Sequence, residues 1–131
     1  MKHSVRFLAV STLAVTAAAC SSSTSNKGLT PQQMQGSYVL TSIAAPSPVL
    51  HPPAATGTLA LTLTNYTLVL TITGSGTQYD GGTYTIDGNN FTENSDSTGF
   101  NYSGTATLVN DSLNVLVLTA GGNITTTWQK Q

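Results

Sequence analysis

Cysteine occurs once in this chain of 131 residues, at Cys20. A lone thiol has no partner for an internal disulfide, and it cannot supply the paired thiolates of common structural zinc sites. Histidine is nearly as scarce: His3 and His51 are the only two. After loss of the N-terminal segment argued below, His51 alone remains to serve as a general base. Charge is thin as well, with Asp, Glu, Lys and Arg making up 7% of the chain, where roughly a quarter is usual. Once residues 1–19 are gone, Lys27 and Lys130 face Asp80, Asp87, Glu93, Asp96 and Asp111, and the net charge is −3. Such a surface repels a phosphate backbone, which excludes nucleic acid as the expected partner. Beyond Cys20 no apolar run approaches the ~20 residues of a spanning helix, and no stretch keeps a helical period.

What is present at the start is a basic patch, Lys2, His3 and Arg6, followed by an apolar run to Ala19 and then by Cys20 and a string of serines and threonines. The run has the length of a signal-peptide h-region and is too short to span. Thr16-Ala17-Ala18-Ala19-Cys20 resembles the lipobox of bacterial lipoproteins. The resemblance implies cleavage before Cys20, a diacylglyceryl group on its sulfur, and a chain held at the membrane by two or more acyl groups. Ser21 after the cysteine is similar to the outer-membrane sorting pattern. The expected organisation is a signal peptide over 1–19, a lipidated cysteine with a flexible polar tether over 20–35, and one folded domain over 36–131.

Within that domain β-branched and aromatic residues alternate with small polar ones, and Gly, Asn and Asp interrupt them at short intervals. The alternation predicts eight strands. The first is Gly36 to Ala44, and residues 58–64 and 67–73 put Leu59, Leu61, Leu63 and then Leu68, Leu70, Ile72 on one face. Tyr84 and Ile86 precede a tight turn at Asp87-Gly88-Asn89, and Phe91 opens the next strand. Phe100, Tyr102, Gly104, Ala106 and Leu108 mark a long strand turned by Asn110-Asp111. Residues 113–118 are apolar on both faces, which predicts either the most buried strand or one covered on its outside by the tether. Ile124 to Lys130 closes the set. Eight antiparallel strands in sequence order predict an all-β, up-and-down, eight-stranded barrel that pairs its first strand with its last; a β-sandwich is the alternative. Residues 45–56 carry four prolines, so they are expected to form an unpaired loop.

Gly36-Ser37-Tyr38-Val39-Leu40, the long first loop, the serial hairpins and the final Thr127-Trp128-Gln129-Lys130 together resemble the small lipocalin-like lipoproteins of bacteria. True lipocalins have Gly-x-Trp in the first strand and a base over that ring; here Tyr38 takes the Trp position and Lys130 is the nearest base. The resemblance implies that Tyr38 and Trp128 close the barrel structurally and that the interior holds a small hydrophobic ligand. Leu50 and His51 in the Pro-rich loop, with the inward-periodic Tyr84, Phe91, Phe100 and Tyr102, are the candidate ligand-binding residues, although packing alone also accounts for the aromatics. The acidic residues Asp80, Asp87, Asp96 and Asp111 each lie beside Gly, Asn or Ser, as turn-forming Asp does. Glu93 and Asp96 lie near each other but lack the spacing of a calcium loop. No nucleophile has a supporting motif. The sequence therefore predicts binding without catalysis, with no catalytic residue, metal or cofactor. The expected location is the bacterial envelope, as a monomer lipid-anchored at the outer membrane and facing the periplasm or the cell surface. The alternative role is a structural or protein-interaction module displayed there, with an envelope protein as partner.

Overall fold

The computed structural model describes residues 28–45 and 48–131. The expected signal peptide, Cys20 and most of the expected tether lie outside the described residues. From residue 28 the chain makes one helical turn, α1 (Pro31–Met34), and nine strands: β1 (Gly36–Ala44), β2 (Val49–Leu50), β3 (Ala55–Leu61), β4 (Asn65–Ile72), β5 (Gly76–Asp87), β6 (Asn90–Ser95), β7 (Asn101–Val109), β8 (Ser112–Thr119) and β9 (Gly122–Lys130). Each strand from β3 onward pairs antiparallel with the next, β1 pairs with β3 on one side, and β9 returns to pair with β1 from Tyr38↔Lys130 to Ala44↔Thr125. That last pairing closes an eight-stranded up-and-down barrel and excludes the sandwich, since a closed sheet has no free edge to fold over.

Short hairpins make this topology the easy one. Asn110 and Asp111 have φ of 50° and 62°, as both central residues of a two-residue type I′ turn require. Asn and Asp tolerate that region because their side chains bond locally. Gly104 serves a different need, for a Cβ there would strike the Leu116 carbonyl of the neighbouring strand. Gly82 sits where β5 changes partners, pairing with β4 through Thr83 and with β6 from Gly82 onward. A Cβ there would strike the Asn94 carbonyl.

Two strand expectations change. The Pro-rich loop is not wholly unpaired: Val49 and Leu50 pair with Ala44 and Ile43 as β2. The pair is tolerated because Pro48 and Pro52 flank it and neither has to donate to the ladder. The strand expected over 58–64 begins at Ala55 and ends at Leu61. Thr62 Oγ1 accepts hydrogen bonds from the Thr64 and Asn65 N–H groups. That local turn pulls the chain off the ladder and leaves Leu63 exposed rather than inward. Outside burial of β8 is partial: Leu113 and Val115 are buried inward, whereas outward Leu118 is exposed.

The barrel's lower end is plugged. Thr30 and Gln33 form a capping box, with Gln33 Oε1 accepting from the Thr30 N–H at 2.9 Å and Thr30 Oγ1 accepting from the Gln33 N–H. This single turn, begun by Pro31 at a position where no N–H is needed, carries Met34 to complete burial. Residues 31–34, expected as the end of a flexible tether, are thus an ordered part of the barrel. Tyr38 Oη donates to the Met34 carbonyl at 2.6 Å, and Lys130 Nζ lies 5.8 Å from the Tyr38 ring centroid while reaching the Gln33 carbonyl at 3.4 Å. Cation and ring attract through the ring quadrupole. Tyr38 and Lys130 are paired, and Trp128 lies opposite Leu40, where the first and last strands meet.

Candidate functional site

Alternation sends every second side chain inward, yet the inward side chains do not fill the barrel. A cavity of about 620 Å³ remains, within the range of small-molecule sites. Its floor is Met34, Leu61, Leu113 and Trp128, and its walls are mostly apolar, with Leu59, Leu70, Phe91 and Val115 among them. The lining ends at Gln78, Ser97, Thr98 and Thr119, of which the first three are exposed. Strand register places these four at the end opposite α1, so the cavity opens there.

The candidate ligand residues divide. Phe91 and Tyr102 line the cavity. Tyr84 is buried below it, stacked on Phe91 with ring centroids 5.9 Å apart and donating from its hydroxyl to the Thr62 carbonyl at 2.6 Å. Phe100 is 64% exposed, contrary to its inward assignment. It precedes β7 in the β6–β7 loop, where strand alternation does not govern, and it rests edge-on against Tyr102. Leu50 packs partly buried against the core but does not reach the cavity, and His51 is exposed. His51 has a structural use. Between Leu40 and Ser42 the β1–β9 register slips by one residue, and the Thr41 carbonyl at that bulge lies 3.0 Å from His51 Nδ1. A carbonyl can only accept, so Nδ1 carries the proton and the ring ties the Pro-rich loop to the bulge. Mouth residues instead come from the start of β5, the β6–β7 loop and the end of β8.

No family model and no curated protein matches the chain.

The polar part of the cavity lies on β5 and β6, and the expectation of a turn role for Asp80 does not hold. Asp80 is inside β5, with its carboxylate accepting from Tyr66 Oη at 2.9 Å, Ser95 Oγ at 2.6 Å and the Gly81 N–H at 2.8 Å. Burial alone would raise its pKa, but these donors, with Ser97, outweigh burial and hold it below the ordinary carboxylate range. The same environment, burial first and the Asp80 hydrogen bond next, raises the Tyr66 phenol well above its usual value. Glu93 faces inward between Phe91 and Ser95 on β6, opposite Tyr84 on β5 and Tyr102 on β7. Burial, and then the negative charge of Asp80, push its carboxyl up to about 7. Asp96, one position beyond β6, is exposed and does not join it.

Met34, Tyr66, Asp80 and Glu93 were missed as site residues, and each had a signal. Thr30-Pro31-Gln32-Gln33 has capping-box spacing with Pro at the first helical position. Carrying the period of two back from Leu68 reaches Tyr66 and back from Tyr84 reaches Gly82, Asp80 and Gln78, while carrying it forward from Phe91 reaches Glu93 and Ser95. The adjacent glycines made Asp80 look like a turn residue.

Proposed function

We propose that this chain is a lipid-anchored envelope protein whose barrel binds a small, largely apolar molecule and performs no catalysis. The observation that carries the binding half is the open apolar cavity, about 620 Å³ in volume. A barrel of eight strands is wide enough either to be filled by its own side chains or to hold one ligand, and an unfilled interior favours the second. The ligand enters past Gln78, Ser97 and Thr98, at the barrel end that also carries the Pro-rich loop. Thermal denaturation of the purified protein against fatty acids and small aromatics tests this. A ligand at a hundredfold its dissociation constant adds ~2.7 kcal/mol to stability. No shift with any of them, together with recovery of an envelope protein that depends on the Pro-rich loop, turns the reading to display instead.

The anchoring half rests on the sequence around Cys20. In a bacterial host fed labelled palmitate, the wild-type chain is expected to take up label and Cys20→Ala to take up none. Equal labelling of the two removes the anchor.

A further inference from the structure

The cavity described above is not apolar throughout, and the exception is specific. Two carboxylates, Asp80 and Glu93, belong to its lining. Asp80 is saturated by the Tyr66, Ser95 and Gly81 donors. Glu93 receives no hydrogen bond from any other described residue, and its neighbours across the sheet are the aromatic Tyr84 and Tyr102. Among the described residues Lys130 is the only Lys or Arg, and it is engaged over the Tyr38 ring at the plugged end. A carboxylate in a largely apolar cavity without a cation is costly, and the described residues supply none beside it.

We infer that the ligand is a cationic amphiphile, an apolar body with a protonated amine that pairs with the Glu93 carboxylate. The inference rests on the ligand-binding reading of the cavity. The apolar body occupies the floor and walls around Leu113, Val115 and Trp128, and the ammonium lies against β6. An ammonium carries up to three donors and no acceptor, so it can donate to the Glu93 carboxylate and brings no acceptor of its own that the cavity would leave unmatched. An anionic amphiphile such as a fatty acid brings a like charge to the two carboxylates, and a neutral one offers Glu93 no counter-charge.

Three decyl compounds that share a chain and differ in head group test this: decylamine, decanol and decanoic acid. Each is titrated against the purified protein below its micelle-forming range at neutral pH, by displacement of an apolar fluorescent dye. Decylamine is expected to bind at least about tenfold tighter than decanol, the scale of one charge-assisted hydrogen bond, with decanoic acid weakest. Glu93→Gln should bring decylamine to the level of decanol and leave decanol unchanged, whereas Glu93→Asp, which keeps the charge, should retain part of the preference. Decanol or decanoic acid binding as tightly as decylamine, or an amine preference that survives in Glu93→Gln, overturns the inference while the cavity reading stands. Failure of the dye and all three compounds to bind overturns both.

Discussion

Trp128→Ala is expected to cost the barrel ~3–5 kcal/mol, the usual range for removing a fully packed Trp. The indole is 2% exposed, so almost all of its apolar surface is lost from the packed state. It stands at a position where three constraints meet. Its backbone pairs with Leu40 on β1 and Leu113 on β8, so it spans the seam that closes the barrel. Its Nε1–H donates to Thr126 Oγ1 at 2.7 Å, which satisfies the one polar atom of the ring. Its ring is also part of the cavity floor. Removal therefore joins a new void to the existing cavity at the seam, where strand pairing depends on the packing. Urea denaturation followed by far-ultraviolet circular dichroism gives the loss directly, and the thermal midpoint should fall by on the order of 20 °C for a domain of this size. A loss under about 1 kcal/mol, the scale of a surface substitution, would show that the seam holds without the ring.

Much of the barrel was legible in the sequence because one rule, the period of two, governs both pairing and burial. Tyr38, Leu59, Leu70, Tyr84, Phe91, Ala106 and Trp128 are all buried where alternation places them. The closing pair of strands followed from counting hairpins, since an up-and-down order brings the ends together. The rule failed where local chemistry interrupts it. Thr62 bonds to the backbone and ends β3 early, and Phe100 falls in a loop. What alternation could not decide was whether the inward side chains fill the space they enclose. That depends on summed volume and strand tilt, and on Met34 arriving from outside the strand pattern to make a floor. The polar wall was misread for another reason: Asp beside Gly commonly means a turn, but the Gly81-Gly82 pair lets strands approach closely and leaves Asp80 facing inward.

The pH dependence of stability is expected to carry the mark of the same wall. Glu93 holds its proton to about 7 in the folded barrel because of burial and the negative Asp80 nearby, against 4.5 for the unperturbed group. Below pH 4.5 the carboxyl is protonated in both folded and unfolded chains, and its contribution is fully present. Between 4.5 and 7 the folded chain binds the extra proton, so stability falls as pH rises through that window. At 1.36 kcal/mol per pKa unit the fall amounts to at most about 3 kcal/mol. Asp80 does not cancel it, because its pKa is lowered and its gain with rising pH is complete below this window. Tyr66 and Tyr84, facing Glu93 from β4 and β5, are raised from already high values and stay protonated throughout. No Lys, Arg or His of the described residues lines the cavity. Urea midpoints measured at half-unit steps from pH 4 to 8 should decline for the wild-type protein, and the profile for Glu93→Gln should be nearly flat over the same range. Glu93→Gln is also expected to be the more stable of the two at pH 8, where the wild-type carboxylate must ionise inside the barrel. A wild-type profile that rises from pH 5 to 7, or one that declines equally in Glu93→Gln, would mean that Glu93 is ionised at neutral pH without penalty. The cavity wall would then be wetter, and less selective toward a charged head group, than its lining implies.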